Sequence, residues 1–247
     1  VQTDITKSCE KNTYKRSKLM QKRIEQNKKS IIAAAKSLVG DGGFKHAQIV
    51  AIAEMAGVSH GLVYRYFDNK SALMVQVLRD VAGHEIQILQ AIAKSELAPD
   101  KKLHKAVATF VKRALNSPHT AYAFMLEPVD DIEFEKARVA IKHDIARAIE
   151  TILQQGKAAG VLSVENIHTA ALCIVGAMTF SVIEPFYYEY QQREGRQDAD
   201  GAAIDDLNSV NPNQALSAHR TQGLDDEYRV QFSQQVADLC VNLAKTS

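Results

Sequence analysis

What most constrains the fold is a stop inside an apolar helical pattern. Residues 52–73 read IAEMAGVSHGLVYRYFDNKSAL. Ile49, Ile52 and Ala53 lie at helical spacing, which predicts a helix over 48–56. Gly57 then forces a turn too tight for a residue with a Cβ. Ser59 is a natural N-cap, so a second short helix is predicted over 60–67. Two short helices joined in this way form a helix-turn-helix, in which the first packs across and the second is presented outward.

The rest of the chain also reads as helical, because strand-like alternation is scarce and only five prolines interrupt 247 residues. The predicted class is all-α. A first helix over 22–39 buries Ile24, Ile31, Ala35 and Leu38 and ends at GDGG, residues 40–43. A helix over 69–94 carries Leu73, Val77, Leu78, Val81, Ile88 and Ile92. Further helices are predicted over 103–115, 118–127, 131–159, 165–190 and 226–243. The helix over 165–190 is nearly apolar all round and is expected to be buried on several sides. Residues 1–21 lack an apolar period and read as a disordered arm, and the acidic stretch 191–225 reads as a long, peripheral loop. The longest apolar run, residues 170–183, falls short of the ~20 residues that span a bilayer, so no membrane role is expected. The three cysteines, Cys9, Cys173 and Cys240, are far apart and show no metal-type spacing. With no secretory leader, they fit a reducing cytoplasm.

Charge is segregated although the net charge is only +1. Lysine and arginine dominate residues 1–43, and aspartate and glutamate dominate residues 189–227. This points to a polyanion at the N-terminal end; the alternative is that both segments are simply solvated. The second helix of the pair carries groups suited to a major groove. His60 can bond base edges, Gly61 lets the backbone approach, and Tyr64 can touch bases or a thymine methyl. Arg65, Tyr66 and Lys70 would flank the groove and bind phosphates. The competing reading takes the rings as core filler, which is expected of Phe67.

The run AIAEMAGVSHGLVYRYFDNKSAL resembles the DNA-binding signature of the TetR (tetracycline-repressor-like) family of bacterial regulators. Ile52, Ala53, Ala56, Gly57, Val58, Ser59, Gly61, Val63, Tyr64, Tyr66, Phe67, Asn69, Lys70 and Leu73 fit the family pattern. With residues 1–21 as a basic arm, the resemblance implies a DNA-binding domain over 22–72 and an effector-binding and dimerisation domain over 73–247. It places His60, Gly61 and Tyr64 where the family reads bases, and Leu62, Arg65, Tyr66 and Lys70 where it holds phosphates; Gln48 and Ser59, at the two helix starts, join this DNA-facing set. The chain departs from the pattern at Ala47 and Gln48, at Val50 where Arg is frequent, and at Leu62 where a hydroxyl residue is frequent.

The resemblance further implies a homodimer that binds a double-stranded operator and answers to a small apolar or amphiphilic effector. Phe110, Tyr122, Met125, Met178 and Phe180 could line its pocket, with Glu127, His143 and Glu184 orienting it; ordinary core is the alternative for each apolar member, and a surface position for each polar one. The same fold could instead answer to a protein partner or to no ligand. An enzyme is the third reading. Glu165 and His168 have the Glu-x-x-His spacing of di-iron bundles, but no second pair accompanies them, so a solvated helix start is expected there. Neither a cofactor nor a metal is implied.

Overall fold

The computed structural model describes residues 2–183 and 226–245. The expectations for Glu184, for the end of the helix predicted over 165–190, and for the acidic loop lie outside those residues. Every regular element among them is a helix: α1 (Gln2–His46), α2 (Ile49–Ala56), α3 (His60–Tyr66), α4 (Lys70–Ala93), α5 (Pro99–Leu115), α6 (Pro118–Met125), α7 (Ile132–Ala158), α8 (Ile167–Phe180) and α9 (Asp226–Lys245). None of them is long and apolar enough to cross a membrane.

The start of α1 differs from expectation. Residues predicted as an irregular arm continue the helix back to Gln2. Helix propensity accounts for this extension. No Gly or Pro occurs before Gly40, and straight-chain Lys, Glu and Gln are good helix formers. The packed part of the helix supplies the nucleus, so extension adds one bond per residue without a new nucleation cost. The predicted glycine stop is present as a break inside α1, at Gly42 (φ −156°, ψ 22°) and Gly43 (φ 71°, ψ −173°).

Two hydrophobic cores share α4. The first joins Ile31, Ala35 and Val39 of α1 to Ile49 and Ile52 of α2, Val63 of α3, and Leu73, Val77 and Leu78 of α4. Phe124 of α6 and Phe134 of α7 complete it. The second core begins further along the same helix, at Leu89, Ile92 and Ala93, and gathers α5, α7, α8 and α9. α9 lies against α5 and α8. The Ser163 amide, just before α8, donates to the Ala244 carbonyl of α9 at 2.8 Å.

α8 is buried on one face only. Ala171, Ile174, Val175 and Met178 point into the second core, whereas Leu172, Cys173 and Phe180 are exposed. The expectation of burial on several sides therefore fails within one chain. Burial of Cys240, by contrast, pushes its thiol pKa up to about 11.

Helix ends are held by side chains that periodicity does not reveal. The buried Lys102 ammonium donates to the Ala93 carbonyl at 3.1 Å and to Gln155 Oε1 at 2.8 Å, satisfying an orphan carbonyl at the end of α4. Asp131 caps α7, accepting from the Glu133 and Phe134 amides at 3.0 and 3.1 Å. A hydrogen bond from Ser71 of α4, followed by those two amides, holds the Asp131 carboxyl below its usual range. A depressed carboxyl pKa contributes stability above its unfolded value and loses it as pH falls through the folded one. Asp131→Ala should therefore cost about 1 kcal/mol at neutral pH. The gap to the wild type should close on acidification below about pH 4, as followed by urea unfolding at a series of pH values.

Candidate nucleic-acid interface

The helix-turn-helix is built by one glycine and one buried valine. Gly57 closes α2 in the left-handed region (φ 65°, ψ 33°), and its amide bonds back to Ala53 and Glu54 carbonyls. Ser59 then holds the extended N-cap backbone of α3 (φ −72°, ψ 148°), but its side chain makes no capping bond. Val63 is fully buried and Phe67 nearly so, fixing the rotation of α3 about its axis. That rotation leaves Ser59, His60, Gly61, Tyr64 and Arg65 exposed. Tyr64 is 47% exposed, a high value for a large ring. The His60 and Tyr64 rings meet edge to face, 5.1 Å between centroids, which pre-orders two of the groups expected to reach bases.

The residues expected at phosphates divide into two kinds. Arg65 is exposed, and Gln48 is also exposed, its amide turned back onto the Lys45 carbonyl at 2.7 Å. Leu62, Tyr66 and Lys70 are partly buried. The Tyr66 hydroxyl accepts from Asn27 at 3.4 Å, and the Lys28 ammonium sits over its ring, 5.8 Å from the centroid. The Lys70 ammonium donates to the Phe44 carbonyl at 3.1 Å, and burial lowers its pKa. Sequence reasoning missed these anchors on α1, because nothing local to α3 marks them. It did single out Val50, which is 57% exposed at the start of α2.

Among the described residues, the groups nominated for an effector differ in burial. Phe110 and Met178 are core residues. Met125 packs partly against that core, and Tyr122 is partly exposed. Phe180 is 68% exposed. His143 is exposed and stacks on His168 across 6.5 Å. Glu127 is buried and accepts the Phe44 amide at 3.3 and 3.4 Å. Apolarity and polarity were legible in sequence, but helix phase and long-range partners were not. His168 of the Glu-x-x-His pair bonds Glu150 at 2.6 Å, and Asn166, not Glu165, caps α8. No three-residue group that could hold a metal occurs among the described residues.

Residues 31–77 match the model of a family described as bacterial regulatory proteins, tetR family. Residues 31–77 are thus a DNA-binding region of that family's type. Relatives of the chain include the fatty acid metabolism regulator protein of Bacillus subtilis, 26% identical over 97 residues, covering 39% of this chain and 50% of that protein. The transcriptional regulator RutR of Escherichia coli K12 is 28% identical over 123 residues, 50% of this chain and 56% of that one. The chain thus spans about half the length of the curated relatives it matches. Folds agree more widely. A TetR transcription regulator from Haloarcula marismortui superposes with a TM-score of 0.64 at 12% identity, covering 89% of this chain and 98% of that one. FadR of Bacillus subtilis, solved with stearoyl-CoA, gives 0.62 at 19% identity, covering 86% and 96%.

The turn glycine offers a clean test of this geometry. A Cβ on Gly57 would meet nothing within 4 Å, so only backbone strain opposes substitution. Gly57→Ala should destabilise by about 1–2 kcal/mol, and Gly57→Asn by less, because Asn tolerates the left-handed region. Chemical denaturation of both variants measures the difference.

Proposed function

We propose that this chain is a dimeric transcriptional regulator that binds an operator duplex through α3 and is released from it by an amphiphilic effector. The carrying observation is the exposed His60–Tyr64 pair on a helix whose opposite side is locked by Val63. Residues 22–72 would bind DNA in the chromosome's compartment, the cytoplasm, and residues 73–247 would bind the effector and dimerise.

Roles divide along α3. His60 and Tyr64 read bases, with Gly61 admitting the backbone between them; Arg65 and Lys70 hold phosphates. His60→Ala or Tyr64→Ala should weaken a cognate operator more than a scrambled duplex, by about 1–3 kcal/mol of discrimination. Arg65→Ala should weaken both equally and flatten the salt dependence by about one log–log unit per lost contact. Fluorescence anisotropy at several salt concentrations separates these outcomes. Equal effects of His60→Ala and Arg65→Ala would remove the division of roles.

The dimer surface is the outer face of α8 and α9. Leu172 and Phe180 on α8, with Tyr228, Leu239 and Leu243 on α9, are large exposed apolar groups. Two-fold pairing of these helices into a four-helix bundle covers them. Phe180→Glu combined with Leu239→Glu should give a monomer by sedimentation at micromolar concentration; a wild-type chain already monomeric there would refute the interface.

An amphiphilic effector is supported by the similarity to FadR of Bacillus subtilis, whose structure contains stearoyl-CoA. A long-chain acyl thioester should raise the melting temperature where the thiol carrier alone does not. Equal shifts would point away from an acyl-reading pocket.

A further inference from the structure

The break in α1 makes Phe44 a meeting point of three chain segments. Gly43, at φ 71°, turns the chain so that the Phe44 amide faces the Glu127 carboxylate, at 3.3 and 3.4 Å. A Cβ on Gly43 would lie 2.8 Å from that carboxylate, so the approach requires glycine. The Phe44 ring packs edge-on against Phe124 of α6 and Phe134 of α7, at 5.5 and 4.8 Å. The Phe44 carbonyl accepts the Lys70 ammonium at 3.1 Å. An ammonium has three donors, and this bond uses one.

Glu127 is itself tied down. Its carbonyl accepts from the Arg138 guanidinium at 2.9 Å. Arg138 also pairs with Glu135 at 2.9 Å and lies over the Phe134 ring. Burial lowers the Arg138 pKa, and the charges of Glu135 and Glu127 oppose that shift. The path from the α6–α7 junction to the first residue of α4 is therefore a short series of directional bonds, buried at Glu127 and part-buried at Lys70.

We propose that Glu127 is a positioning residue for Lys70: through Phe44 it fixes the ammonium that meets a DNA phosphate, and so couples the α6–α7 junction to DNA affinity. This rests on the DNA-binding reading above. Lys70 lies at the first position of α4, one residue past its cap, and its partly buried stem leaves the ammonium few alternative positions. Releasing Phe44 from Glu127 frees the Phe44 carbonyl to turn and the ammonium to wander. The loss is independent of base sequence, because a phosphate contact carries no sequence information.

The test uses the full chain on operator and scrambled duplexes over a salt series, with Glu127→Ala, Glu127→Asp, Glu127→Gln, Lys70→Ala and the Glu127→Ala/Lys70→Ala double variant. Glu127→Asp retracts the carboxylate from the Phe44 amide and remains a usable probe if the alanine variant does not fold. Glu127→Gln keeps an acceptor at full reach. Glu127→Ala or Glu127→Asp should weaken both duplexes by the same factor and flatten the salt slope by about one unit per protomer, as Lys70→Ala does. The double variant should be no worse than Lys70→Ala alone, and Glu127→Gln should restore the wild-type slope. A wild-type slope in folded Glu127→Ala or Glu127→Asp overturns the coupling, because a purely structural glutamate changes stability and not the number of phosphate contacts. Additive effects in the double variant overturn it as well. Should Lys70→Ala keep the wild-type slope while binding stays salt-dependent, the coupling falls and the regulator reading stands. Should the wild type bind neither duplex, the regulator reading falls with it.

Discussion

The molecule depends on α4 being one uninterrupted helix with apolar residues for two different cores. Its first turns carry Leu73, Met74, Val77 and Leu78 into the core beneath α3, and its last turn carries Leu89, Ile92 and Ala93 into the bundle. Two cores joined only by a loop would move independently. Cores joined by a hydrogen-bonded rod transmit orientation, because bending a helix sharply requires a proline, a bulge or an inserted group. α4 has no proline, and its one glycine, Gly83, has open space around it.

The helix-turn-helix is legible in sequence because its constraints are local. A glycine at positive φ, a cap position and an apolar residue at helical spacing each act within a few residues, and all were found at the expected positions. The ends of α4 and α7 agree with expectation to within a residue for the same reason. α5 begins earlier than its apolar pattern, at Pro99, because proline suits a first turn whose amides lack partners. The helical start of α1 carries no apolar period for sequence reading to find, but its composition of good helix formers favours extension of the packed helix.

The nominated effector set was the least legible part, for a physical reason. Glu127 reads as a polar group in apolar surroundings, which suits a ligand contact and a buried backbone anchor equally. The partner it has in the fold, the Phe44 amide, lies 83 residues away. Phe180 and Met178 are neighbours of similar apolarity, yet one is largely exposed and the other fully buried, since two residues turn a helix by more than half a circle. Lys70 was recognised by pattern, but its bond to the Phe44 carbonyl is a tertiary fact.

The clamp that Lys102 and Gln155 place on the Ala93 carbonyl makes that end of α4 a fulcrum. Its bonds resist sliding along the axis, which leaves rotation as the softer motion. At 1.5 Å per residue, the 24-residue rod is about 36 Å long. A tilt of about 5° at the clamped end therefore displaces the Lys70 end by about 3 Å, close to the 3.4 Å spacing of successive base pairs. A small tilt at the clamped end is thus amplified along the arm to a displacement on the scale of one base-pair step.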